Sequence, residues 1–233
     1  MNYLRILGLQ IGVINLKNIV IVGAGGFGME AIWVLEEMNR FSQEDDQWNI
    51  LGYVDDDINK KNLNFYGYRS IGTPEEISLF HNSRELWFFC AIGNNINKIH
   101  VVSRIKQFGW RAACLIHPSV IFAREVSVGE GTYIGAGSVV CPNVTIGKHV
   151  LINTRVAVGH DAVLEDFSQL CPGAQINGKC KVGRGALIGS NASLLPGTEV
   201  EGGAIVGANS QVIRNVKAGS TVNGVPAITL QKD

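Results

Sequence analysis

The chain is poor in charge, in proline and in pairable cysteine. Its 20 basic and 20 acidic side chains among 233 residues leave a formal net charge of zero. Nucleic-acid binders usually carry a basic surplus on one face, so no nucleic-acid partner is expected. With six prolines, and 28 glycines that follow no Gly-X-Y period, neither collagen nor a disordered linker fits. The five cysteines (Cys90, Cys114, Cys141, Cys171, Cys180) are odd in number, scattered and free of any Cys-x-x-Cys. That excludes a disulfide framework and a zinc site, and makes a reducing, cytoplasmic setting without a metal the expectation. No run of about 18 uninterrupted apolar residues exists, so no membrane span is expected. Residues 1–17, MNYLRILGLQIGVINLK, have a signal-like apolar run. Gln10, Asn15, Lys17 and Asn18 interrupt it and no small-residue cleavage site follows. Residues 1–18 therefore read as an N-terminal extension.

Aromatic side chains are nearly missing from the second half: only Phe122, Tyr133 and Phe167 of the 18 lie beyond residue 116. Glycine runs the other way, with 11 before that point and 17 after it. Two architectures joined near residues 112–117 follow from this asymmetry.

The second half repeats in hexads. From Ile116 the positions Ile116, Phe122, Val128, Ile134, Val140, Ile146 and onward to Val212 and Ala218 are Val, Ile or Leu in 16 of 18 cases. The residue four further on is small or β-branched, and the residue directly after the aliphatic one is Gly in eight hexads. Six is neither the helical period nor simple strand alternation, so each hexad needs a short strand and a corner. The aliphatic residue points to an axis, the small one fills the corner, and the following glycine is expected to supply positive φ. Three hexads make one turn, with coils stacked at the roughly 4.8 Å spacing of paired strands. This pattern is that of a left-handed parallel β-helix, unbroken through Ala218.

In the first half, a strand at Ile19–Val22 meets Gly23-Ala24-Gly25-Gly26-Phe27-Gly28 and a helical stretch from Met29. Such a strand–turn–helix fingerprint offers N–H groups and a helix N-terminus to a phosphate. A second strand, Ile50–Val54, ends in Asp55-Asp56-Asp57, placed to hold ribose or sugar hydroxyls or to form a solvated turn. A third, Trp87–Ile92, leads through Gly93-Asn94-Asn95 into a helix ending near Phe108. This is one βαβαβ half, too short for the six-stranded sheet that holds a whole dinucleotide. The fold expected is thus an α/β N-terminal Rossmann-like βαβ domain (19–115) followed by an all-β left-handed parallel β-helix (116–233).

For chemistry, His160 stands third in its hexad, where side chains point outward, and Asp161 follows it. An imidazole titrates near neutrality and an adjacent carboxylate raises its basicity, as a general base requires. His149 stands at an outward position of another hexad without an acid neighbour and reads as a surface residue. Cys171 has no base paired with it in sequence, and Cys180 sits at a core corner.

Taken together, the glycine-rich βαβ unit, Val54-Asp55-Asp56, Ala91-Ile92-Gly93-Asn94-Asn95, Ile116-His117-Pro118-Ser119, Asn153-Thr154, Gly159-His160-Asp161 and Asn223-Gly224-Val225-Pro226-Ala227 resemble a known family. It is that of bacterial sugar acetyltransferases joining a nucleotide-sugar domain to a left-handed β-helix. Its members include sialic acid O-acetyltransferases and N-acetyltransferases of nucleotide-linked amino sugars. The resemblance implies acetyl-CoA as co-substrate, His160 as general base, Asp161 as its partner, and a homotrimer with the donor bound between prisms. It places Gly178 where a backbone N–H meets the thioester oxygen, and Gln169, Ser190 and Ala208 along the coenzyme channel. Gly25, Gly26, Phe27, Asp55 and Asp56 match the nucleotide-sugar pocket. Phe27 and Gln169 each stand where relatives commonly have His. Other readings are a sugar O-acetyltransferase, a serine-type acetyltransferase, against which the front domain argues, and a catalytically inactive β-helix binding protein.

Overall fold

A computed structural model describes residues 17–80 and 85–230. Residues 1–16 of the expected N-terminal extension lie outside the described residues, while Lys17 and Asn18 already belong to the first strand. The α/β domain consists of β1 (Lys17–Val22), α1 (Gly26–Phe41), β2 (Trp48–Val54), β3 (Asn64–Phe65), β4 (Tyr68–Gly72), α2 (Pro74–Phe80), β5 (Leu86–Cys90), α3 (Asn95–Lys106) and β6 (Arg111–Ala112). Its strand order is β3-β4-β2-β1-β5-β6, parallel except for the β3–β4 hairpin. The expectation of a bare βαβαβ half is corrected here. The sheet has six strands: the two-residue β3 and β6 are too brief to leave a hydrophobic period, and the buried positions of β4 are Ser70 and Gly72, which carry no apolar signal. Ile19, Val20, Ile21 and Val22 are buried on both faces, as a central parallel strand demands. The order reverses between β1 and β5, the switch point at which open α/β sheets bind ligands beyond their strand ends.

The second half is a three-sided prism. Short strands stack in parallel at a spacing of three hexads, for example Tyr133 on Leu151, Ala157 on Gln175 and Val163 on Lys181. They form faces of eight, six and five strands. Axis residues such as Ile134, Val140, Ile146, Ile152, Val158 and Ile176 share one core with corner residues such as Val144, Val150, Ala162 and Ala174. Each fully buried aliphatic side chain contributes about 1.5–3 kcal/mol, and an Ile176→Ala change would cost about 2–5 kcal/mol through the cavity it leaves.

Two details correct the sequence reading. Positive φ falls on the fourth residue of the hexad, which lies between 55° and 75° in every hexad from Glu125 to Asn209. The glycine after the aliphatic residue serves close approach instead: a Cβ on Gly159 would stand 2.5 Å from the backbone nitrogen of Gly178. The register also slips in the last coil. Ile205 pairs with Thr221 and Val200 bridges to Val216, each two positions short of the three-hexad spacing. Ala218 is consequently exposed, and Val222 takes the axis position.

The α/β domain docks on the eight-stranded face, where the outward residues Leu115, Tyr133, Leu151 and Gln169 are buried. The junction is partly polar. Lys98 Nζ donates to the His149 carbonyl (2.8 Å) and Asn95 Nδ2 to the Gly185 carbonyl (3.0 Å). No helix among the described residues is long and apolar enough to cross a membrane.

Candidate active site

His160 follows the strand Ala157–Val158 and precedes Val163–Leu164, so it occupies the corner where the six-stranded face turns into the five-stranded one. With Val158 and Ala162 pointing into the core, the third residue must leave the prism, and its side chain is 60% exposed. Asp161 takes the left-handed corner position, φ 59°, which brings its carboxylate back beside the ring. Asp161 Oδ2 lies 2.7 Å from His160 Nδ1. Its other oxygen accepts from Asn143 Nδ2 at 2.6 Å, one coil below. The His160 bond, and then the Asn143 bond, hold this carboxyl below the usual carboxylate range. An ionised carboxylate only accepts, so the proton sits on Nδ1 and the neutral ring presents a lone pair at Nε2. That nitrogen lies over Gly178, one coil above, where a Cβ would come within 2.5 Å of it. The glycine therefore leaves the space in which the ring stands. Its N–H donates to no acceptor among the described residues.

Ser190 and Ala208 stack one coil apart at a different corner, between the eight- and six-stranded faces. Gln169 is set apart from both corners. It is buried on the docked face, and its Nε2 donates to the Gly93 carbonyl (2.8 Å) and to Asn95 Oδ1 (2.6 Å). Within one chain, then, the residues matched to acetyl transfer occupy two corners and one covered face.

In the α/β domain, Gly25 and Gly26 are exposed at the start of α1, whose first turn has neither a side-chain cap nor an acidic residue. Its free N–H groups and dipole suit an anion. Phe27 is committed to packing, edge-on to Phe89 (5.9 Å between centroids) and to Tyr133 of the prism (5.2 Å). Asp55 is no solvated turn. It accepts from the Ala24 and Asp57 N–H groups and from Lys60 Nζ, at 2.8–2.9 Å. Burial works to raise its pKa, but these bonds outweigh it and leave the carboxyl below its ordinary value. Asp56 is more exposed and holds Arg104 Nη2 with both oxygens, at 2.7 and 2.8 Å. These strand ends wall a cavity of about 100 Å³ with Gly23, Ile92 and Val101, at the switch point of the sheet.

His149 corrects the sequence reading. It is buried, because the α/β domain covers its corner and sandwiches the ring between Phe88 and Phe167. Both ring nitrogens lack partners among the described residues, and burial pushes its pKa down to about 4. Lys98 beside it is pushed by burial down to about 8. Cys171 has a thiol whose pKa burial raises, opposite to an activated nucleophile, and Cys180 is buried with Sγ donating to the Leu195 carbonyl. Sequence reasoning passed over Asn143, Lys60 and Arg104. For Asn143 the signal was there, since it stands three hexads before Asp161.

Comparison with known proteins places this geometry in context. Residues 18–105 match the PglD N-terminal domain family. Among solved structures, the acetyltransferase domain of PglB from Neisseria gonorrhoeae, in complex with acetyl coenzyme A, is 25% identical with a TM-score of 0.83, covering 92% of this chain and all of that one. PerB from Caulobacter crescentus, in complex with CoA and GDP-perosamine, is 27% identical with a TM-score of 0.81, covering 92% and 97%. WeeI from Acinetobacter baumannii is 26% identical with a TM-score of 0.81, covering 91% and 99%.

Proposed function

We infer that the chain, a left-handed β-helix acetyltransferase built on a PglD N-terminal domain, transfers the acetyl group of acetyl-CoA to the amino group of a nucleotide-linked amino sugar. Its similarity over nearly the whole chain to PerB, bound to CoA and GDP-perosamine, and to PglB, bound to acetyl coenzyme A, supports donor and acceptor class. The observation that carries the catalytic reading is the His160–Asp161 pair, with its free Nε2 over Gly178.

The reaction is direct. The acceptor nitrogen attacks the thioester carbonyl while His160 Nε2 takes the proton that nitrogen loses. Asp161 stabilises the imidazolium through Nδ1. The tetrahedral oxyanion is met by a backbone N–H, for which Gly178 is the candidate, and it collapses with loss of the CoA thiolate, which is then protonated. No acyl-enzyme is needed, so Cys171 has no role.

The scatter of matched residues favours a site shared between copies. The six-stranded face lies between the His160 corner and the Ser190/Ala208 corner. Its outward strand residues Ile121, Val139, Ala157, Gln175, Ser193 and Gln211 include no charge. The five-stranded face, by contrast, carries Lys181 bridging Glu165 and Glu199. Three prisms with their uncharged faces turned inward form a closed ring. In such a ring the His160 corner of one copy meets the Ser190/Ala208 corner of the next, and the coenzyme lies between them. Gln169, buried under the α/β domain, orients the Gly93–Asn95 loop in this arrangement.

The acceptor is held by the α/β domain, with its phosphates at the α1 N-terminus and its hydroxyls near Asp56. Calorimetric titration with UDP, GDP and CMP, beside free sialic acid, tests this. Binding of a nucleotide supports the assignment. Binding of free sialic acid with no nucleotide binding would overturn it in favour of a sugar O-acetyltransferase. Failure to bind acetyl-CoA at all would leave a catalytically inactive β-helix protein.

A further inference from the structure

The corner that carries His160 and Asp161 stacks its left-handed residues in one column: Glu125, Asn143, Asp161, Lys179 and Gly197, each three hexads after the one before. Asn143 and Asp161 share a φ of 59°. Each is tied by its own N–H to the coil below, Asn143 to the Arg124 carbonyl (3.3 Å) and Asp161 to the Pro142 carbonyl (3.1 Å). Their side chains therefore leave the prism in the same direction, one directly above the other. The Asn143 amide donates to Asp161 Oδ1 at 2.6 Å, while Asp161 Oδ2 faces His160 Nδ1 at 2.7 Å.

We propose that Asn143 is a positioning residue for acetyl transfer, clamping the Asp161 carboxylate from the coil below so that Asp161 in turn sets the tautomer and orientation of His160. This inference rests on His160 being the base. A carboxylate is a rigid plane, so a donor held on one oxygen fixes where the other points. Asp161 is 39% exposed and the ring 60% exposed. Both side chains stand partly in solvent, so hydrogen bonds carry much of their order. Lys179, in the coil above, attracts the same carboxylate from the opposite side. Without Asn143 the carboxylate is free to turn toward Lys179 or water and release Nδ1. Asparagine is also favoured at left-handed φ, which alone would account for its presence. The short bond to Asp161 is what goes beyond that backbone role, and the test must separate the two.

Asn143→Gly does so, because glycine keeps the left-handed backbone and removes only the donor. Asn143→Asp keeps the shape and puts an acceptor against an acceptor. The full-length protein, labelled with ¹⁵N in its histidine rings, reports the His160 tautomer directly, with His160→Ala supplying the assignment. In the unmodified protein the Nδ1–H form is expected to dominate. In Asn143→Gly the two tautomers should mix, and kcat should fall about tenfold, the usual worth of one charge-assisted hydrogen bond. KM for acetyl-CoA should stay within about twofold, since the lost contact acts on the base and not on binding. Asn143→Asp should be slower still. An unchanged tautomer in Asn143→Gly overturns the proposal whether or not kcat falls, and so does an unchanged kcat. A His160→Ala enzyme that keeps its activity would instead overturn the assignment of the base, a result distinct from either.

Discussion

Gly178→Ala adds a single methyl group at the point where the base stands. The substitution meets no backbone obstacle, since Gly178 lies outside the left-handed region that favours glycine. Its N–H is retained, so any hydrogen bond to the thioester oxygen is retained with it. What changes is space: the new Cβ would lie 2.5 Å from His160 Nε2, 2.8 Å from Cε1 and 2.9 Å from Cδ2. Ordinary contact at about 3.5 Å or more requires the far edge of the ring to retreat by roughly 1 Å. The ring has solvent to move into, so folding is expected to survive, with a thermal midpoint close to that of the unmodified protein. The move pulls Nδ1 away from its 2.7 Å contact with Asp161 and carries Nε2 off the line of attack. A misplacement of that size costs about 10²-fold in rate, and kcat/KM should fall accordingly. The assay is continuous thiol release from acetyl-CoA with a nucleotide-linked amino sugar as acceptor. Added to His160→Ala, the same methyl should cost little more, because the group it displaces is already gone. Full activity in Gly178→Ala would refute the reasoning, since the ring could not then work from its place over Gly178.

Other expectations follow from the same geometry. His160→Ala should lower kcat/KM by about 10²–10⁴ with acetyl-CoA binding little changed by calorimetry, while Cys171→Ala should keep most activity. Light scattering should give about 76 kDa, three times the 25.2 kDa chain; a stable monomer at micromolar concentration would count against a shared site. His149 has a folded pKa near 4 against an ordinary 6.5. The unfolded chain therefore binds the proton first, and stability should fall as pH drops from about 6.5 toward 4. His149→Phe should remove that loss in acid-denaturation curves, since Phe167 already occupies the same left-handed position one coil above. Lys98, near 8 when folded and 10.5 otherwise, should make stability rise between those pH values. Lys98→Met should flatten that rise in denaturant titrations at pH 7 to 10.

The chain's hexad period already contained the prism, its axis residues from Ile134 to Val212 and the outward stance of His160 beside Asp161. Every one of those facts is a relation between adjacent residues, neighbouring hexads or successive coils, and a strict period writes such relations directly into the chain. The amino-acid sequence equally determined the β1–glycine turn–α1 unit, whose parts are contiguous. The tertiary structure decided what depends on contacts without a period. Phe27 turns from a pocket residue into a packing residue because Tyr133, on the prism, meets it. Gln169 leaves the surface because Gly93 and Asn95, from the other domain, come down on it. His149 also stands at a prism corner, as the left-handed fourth residue of its hexad where His160 is the third of its own, and what covers each decides its chemistry. The α/β domain settles over the first corner, strips water from the ring and depresses its pKa, while the second corner stays open to solvent with its base free.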